Sequence, residues 1–132
     1  MALRVVRLGT PRAKDEGLRL GTVRRPPRGV KKSDFAKRNF YDIWLPLLAP
    51  SQALVSRAMS QPWTDSRWKK FAKAYRREMA APLPQQVIEL LAQLSHHTNF
   101  SVGCYCENEA RCHRSVLRLL LEARGAKIKI GA

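Results

Sequence analysis

The chain has 132 residues, 45% of them hydrophobic, and carries 25 Lys+Arg against 10 Asp+Glu, a formal charge of +15. That length suits one ordinary α/β-sized domain, 1–132, with enough apolar side chains for a core. No run of about 18 apolar residues occurs, which excludes a membrane-spanning helix of the usual kind, and three cysteines crowded into residues 104–112 cannot staple a fold.

Leu3 to Leu8 is short and β-branched and predicts a strand, ended by Gly9-Thr10-Pro11. Charges inside this stretch break the apolar core a signal peptide needs, so a reducing, cytoplasmic setting is expected. Asp15-Glu16-Gly17 predicts a turn, and Leu18 to Val23 a second strand. Arg24-Arg25-Pro26-Pro27-Arg28-Gly29-Val30-Lys31-Lys32 is then a stiff loop with five cations. Phe40 to Leu48 is aromatic and aliphatic, broken by Pro46, and its periodicity selects neither helix nor strand.

Ala49-Pro50-Ser51 opens a helix with Ser51 as N-cap, and Leu54, Val55 and Ala58 follow at helical spacing. Thr64 caps the next one, with Asp65 in its first turn. Trp68, Phe71, Ala72, Tyr75 and Met79 form its apolar face, and Arg67, Lys69, Lys70, Lys73, Arg76 and Arg77 its basic one. With Trp63, these aromatics could stack a nucleobase, but their spacing favours core packing. Pro82-Leu83-Pro84 ends this helix. Val87 to Leu94 makes a third, closing near His96-His97.

Phe100 to Tyr105 predicts a strand, Val116 to Leu121 a fourth helix stopped by Gly125, and Ala126 to Ile130 a last strand. A strand–helix–strand unit normally makes its strands parallel. The expected architecture is therefore a single α/β domain, a mostly parallel central sheet flanked by helices in a three-layer, Rossmann-like arrangement.

Several segments together resemble a known family, domain-of-unknown-function family 488. They are Arg19, the 24–32 loop, Asp42-Ile43-Trp44-Leu45, Ala49-Pro50-Ser51 and Trp68-x-x-Phe71-x-x-x-Tyr75-x-x-Glu78. Cys104, Cys112-His113-Arg114 and the closing Gly125-Ala126-Lys127-Ile128-Lys129-Ile130 complete the set. Pro26 departs from the family, where many relatives have Trp. The resemblance implies an α/β fold and no settled activity.

The chemistry concentrates where strand 100–105 turns into the helix carrying Cys112-His113-Arg114. A helix start offers free N–H groups and positive potential, which binds anions and acidifies thiols. Arg114 adds a fork suited to phosphate or carboxylate. Three readings remain open. The first is a small-anion site, nucleotide- or phosphate-like, with Arg24, Arg25, Arg28, Asp42 and Arg114 as ligand-binding residues. In it Cys104, Cys112 and His113 are catalytic candidates, although adjacent Cys112 and His113 point about 100° apart on a regular helix. Asp42, beside Trp44, needs a partner, for which an arginine of the 24–28 loop is the candidate. The second is a nucleic-acid-associated basic protein, consistent with the charge but without a recognition motif. The third is a zinc module with Cys104, Cys106, Cys112 and His113 as ligands, at an unusual spacing. No cofactor is otherwise expected, and Cys106 is the cysteine the pattern requires least.

Overall fold

A computed structural model describes residues 1–130. Its strands are β1 (Leu3–Arg7), β2 (Leu18–Gly21), β3 (Ile43–Trp44) and β4 (Phe100–Cys104), and its helices are α1 (Gln52–Met59), α2 (Asp65–Met79), α3 (Pro82–Leu94) and α4 (His113–Ala123). The four strands form one parallel sheet in the order β1-β4-β2-β3. β4 lies in the middle and is buried throughout. This is the expected single α/β domain with a parallel sheet. No helix among the described residues is long and apolar enough to cross a membrane.

Alternation along the strands separates the two faces of the sheet. Leu3, Val5, Leu20, Phe100 and Val102 meet side chains of all four helices, among them Leu54, Tyr75, Ile88 and Leu117, in the main core. The helices begin where the caps were expected: Ser51 Oγ accepts from Leu54 N–H at 3.3 Å, and Thr64 Oγ1 from Arg67 N–H at 3.1 Å. Pro82 both ends α2 and occupies the first turn of α3, where its missing N–H costs nothing. Trp63, Trp68, Phe71 and Tyr75 pack against one another in this core. Gly125 follows α4 with φ +86°.

The opposite face carries Arg4, Arg19 and Ser101, all buried. Its covering layer is made of loops and a 3-10 turn rather than helices. Arg19 is the hub. Its Nε donates to Glu16 Oε2 at 2.7 Å and its Nη2 to Glu16 Oε1 at 2.9 Å, while Nη1 reaches the carbonyls of Thr10 (2.8 Å) and Asn39 (2.7 Å). Ser101 Oγ donates to Glu16 Oε2 at 2.7 Å. Burial alone would raise the Glu16 carboxyl, but the hydrogen bonds from Arg19 and Ser101 outweigh it and hold its pKa below the ordinary value. One side chain thus ties the 8–17 and 31–42 segments to β2.

One segment left open by the sequence is resolved, and one differs from expectation. The 40–48 stretch yields only the two-residue β3 and a 3-10 turn at Pro46–Leu48, because Pro46 cannot extend the ladder. Residues 126–130 make a single parallel bridge, Leu3 to Ile128, through Leu3 N–H to Lys127 O (2.9 Å) and Lys129 N–H to Leu3 O (2.8 Å). Only Ala126 and Ile128 pack on the core there, while Lys127, Lys129 and Ile130 face solvent.

Gly17 has no tolerance for a side chain. Its φ is +78°, and an added Cβ would lie 2.0 Å from the carbonyl oxygen of Asn99. Gly17→Ala is expected to destabilise the fold by about 1–3 kcal/mol, read as a fall in the urea midpoint at unchanged slope.

Candidate thiol site

β4 ends at Cys104 and α4 starts at His113, so the intervening turn lies at the carboxyl edge of the sheet, the usual ligand position in open parallel sheets. Cys104 and Cys106 fall on the same side by strand periodicity, and their Sγ atoms are 3.8 Å apart. Cys112 occupies the N-cap position of α4 without its thiol capping the helix. The three Sγ atoms all lie within 4.8 Å of one another. Cys104 and Cys112 are buried, and Cys106 is exposed and closes the cluster on the solvent side.

The surroundings differentiate these thiols. Hydrogen bonds from Cys104 and Cys112, and then the charge of Arg114, push the Cys106 thiol well below its ordinary range. Donating to Cys106 and Cys112, together with burial, pushes Cys104 far upward. Of these two thiols, the more acidic one is the one that meets solvent. Cys106, the cysteine the residue pattern required least, is the member of the cluster that faces solvent.

Arg114 is 3% exposed. Its Nη2 donates to Cys106 O at 2.6 Å, while its Nε is buried without a hydrogen-bond partner. Among the described residues no carboxylate pairs with it. The charge of this guanidinium favours a thiolate at Cys106.

His113 is 5% exposed. Its Nε2 lies 2.7 Å from Thr22 O, which can only accept, so the proton is on Nε2. In the neutral ring the lone pair is then on Nδ1, which faces Cys112 Sγ at 3.8 Å. The edge of Tyr75 packs on the ring, with centroids 5.3 Å apart, and Tyr75 itself is held by donating to Leu48 O at 2.7 Å. Adjacent Cys112 and His113 meet after all, because Cys112 has left helical geometry (φ −131°, ψ 148°).

The 24–28 loop comes to this rim only in part. Arg25 O receives Tyr105 Oη–H at 2.9 Å, and Thr22, just before the loop, receives His113. Its guanidinium groups go elsewhere. Arg24 donates to the carbonyls of Pro50 (2.9 Å), Pro46 (3.2 Å) and Ala49 (3.2 Å), fixing the approach to α1. Arg25 donates to Gln52 Oε1 at 3.0 Å, and Arg28 is exposed. Asp42 is held by Arg12, at 2.7 and 3.1 Å, and by Arg19 N–H at 2.7 Å, not by the 24–28 loop. Burial raises the Asp42 carboxyl, but the Arg12 and Arg19 hydrogen bonds outweigh it and leave the pKa lowered. Asp42 instead lines a cleft of about 510 Å³ with Pro26, Lys32, Phe35, Tyr41 and Trp44.

Of the four expected zinc ligands, the three thiols come together closely enough to hold a metal ion, while His113 stays outside the set. Three further residues at the rim were not singled out. Thr22 orients the imidazole. Tyr105 walls the cluster together with Phe40, and Arg7 donates to Tyr105 O at 3.1 Å. Arg7 ends β1 beside the end of β4, so parallel pairing would have signalled it.

Fold and site together define a small parallel-sheet α/β protein with a cysteine cluster at the carboxyl edge of its central strand. A family model described as "Active DUF488-N3 subclade" matches residues 3–125, and the chain belongs to that family. No curated protein and no solved structure matches the chain.

Proposed function

We propose that the protein is a thiol-dependent enzyme that takes a small anionic ligand at the turn between β4 and α4. Cys106 is the nucleophile, Arg114 and the start of α4 receive the negative charge, and Cys104 donates to the thiolate. The observation that carries this reading is the buried Arg114 without an acidic partner, set beside a three-thiol cluster with one exposed member. A description of the subclade as active agrees with it. The chain-wide charge of +15 raises the local concentration of anions of every kind. Arg28 adds an exposed cation, whereas Arg24, Arg25 and Asp42 hold the neighbouring loops.

Paired alkylation with iodoacetate and iodoacetamide tests this, since both displace iodide and differ in charge. Cys106 is expected to react before Cys104 and Cys112. Its preference for iodoacetate over iodoacetamide, relative to free cysteine, should be about tenfold or more at low salt. Equal preference for the two reagents would overturn the anionic-ligand reading. Metal analysis is the companion measurement: a full equivalent of zinc in the purified protein would replace the reading with the metal one.

A nucleic-acid role draws its support from another surface. Lys69, Lys70, Lys73, Arg76 and Arg77 of α2 are all exposed. That reading stands only if mixed-sequence RNA or DNA binds with a steep salt dependence.

A further inference from the structure

We infer that the site is a dithiol relay for small anionic disulfides, in which Cys112 is the resolving thiol and His113 its general base. The inference rests on the reading of Cys106 as nucleophile and adds what happens to the sulfur it captures. Three features carry it.

The first is distance. Cys106 and Cys112 Sγ lie within 4.8 Å, so a modest movement of the exposed turn brings them to bonding distance, about 2.05 Å. The second is division of labour. An exposed thiol meets a substrate, whereas a 2% exposed thiol reacts only with what has already been captured. The third is the orientation of His113. Thr22 O holds the Nε2 proton, which leaves the Nδ1 lone pair toward Cys112 Sγ. The result is a carbonyl–imidazole–thiol chain, the order of groups that activates a nucleophile. Cys104 has no such base and lies against Cys106 instead, with their Sγ atoms 3.8 Å apart.

The chemistry balances in two exchanges. Cys106 thiolate attacks one sulfur of R–S–S–R′, forming Cys106–S–S–R and expelling R′S⁻, which takes a proton from water. His113 Nδ1 then accepts the Cys112 thiol proton as Cys112 Sγ attacks the Cys106 sulfur. The bond to R breaks, and RS⁻ leaves with the proton returned by His113. The protein retains a Cys106–Cys112 disulfide, and the substrate has gained two electrons. An external dithiol reduces that bond for the next cycle. Arg114 confines the preference to disulfides bearing a carboxylate or a comparable anion.

The test uses the whole reduced protein and one equivalent of 5,5′-dithiobis(2-nitrobenzoate), an aromatic disulfide bearing carboxylates whose thiolate product is coloured. Two equivalents of thiolate are expected per chain in two phases. Intact mass should then show the loss of two hydrogens and no adduct, and peptide mapping should join Cys106 to Cys112. Cys112→Ser should stop at one equivalent with the adduct retained on Cys106. His113→Asn should slow the second phase relative to the first by about 100-fold. A fast first phase with a persistent adduct on the unaltered protein would sink the relay while sparing the nucleophile. So would a disulfide mapped to Cys104 in place of Cys112. Absence of a fast first phase would instead sink the reading of Cys106 itself.

Discussion

Replacing Glu16 with alanine is expected to cost about 3–5 kcal/mol of folding stability, because it leaves Arg19 buried, charged and without its partner. Arg19 is 0% exposed and donates twice to that carboxylate. Its remaining contacts are carbonyls, which cannot neutralise it. Ser101 and the amide of Ala13 also lose their acceptor. Glu16→Gln keeps the shape and one carbonyl oxygen, so it should cost less, about 1–3 kcal/mol. The same pair gives an acid limb. The folded-state pKa of Glu16 is lowered, so the stabilisation is present above the unfolded carboxyl value of about 4.3 and is lost as the pH falls through the folded one. Asp42, also lowered, contributes with the same sign. Urea midpoints measured from pH 7 down to pH 3 should fall, and Glu16→Gln should flatten that fall. An unchanged slope in the variant would mean that Glu16 is not the group being titrated.

Arg114→Met should behave in the opposite manner. Both arginines are buried, but Arg114 has no acidic partner and one unpaired N–H. Its one hydrogen bond is to Cys106 O, and replacing buried charged groups by apolar side chains of similar volume is often neutral or stabilising. Stability is therefore expected within about 1 kcal/mol of the parent chain, read from urea denaturation. The preference of Cys106 for iodoacetate should meanwhile fall about tenfold, to that of a free thiol. A large loss of stability with the preference retained would make Arg114 a structural residue. The contrast between the two arginines separates a guanidinium that holds the fold from one that waits for an anion.

Much of this fold was legible in the chain. β1, β2 and β4, the caps at Ser51 and Thr64, the apolar face of α2 and the stop at Gly125 each follow from local periodicity and capping chemistry. β3 was not, because two residues give no period, and the end of the chain alternates Ile and Lys without a partner long enough to pair along its length. For the site, residue types located the turn at 104–114 but not the arrangement within it. Whether Cys112 meets His113 depends on one non-helical residue at the helix start, and which thiol meets solvent depends on the path of the 105–111 turn. The partners of the arginines were opaque for a different reason. Backbone carbonyls, which every residue has, satisfy Arg24, and Asp42 finds Arg12 thirty positions away.

The two faces of the sheet ask different things of evolution. Beneath the helices the requirement is volume, and cores of that kind accept many combinations of aliphatic side chains provided the total is kept. Beneath the loops the requirement is a set of paired donors and acceptors, where losing one member strands the others. Sequence drift has latitude on the first face and almost none on the second. The loop layer, although it holds no α-helix, should therefore be the slower of the two to diverge.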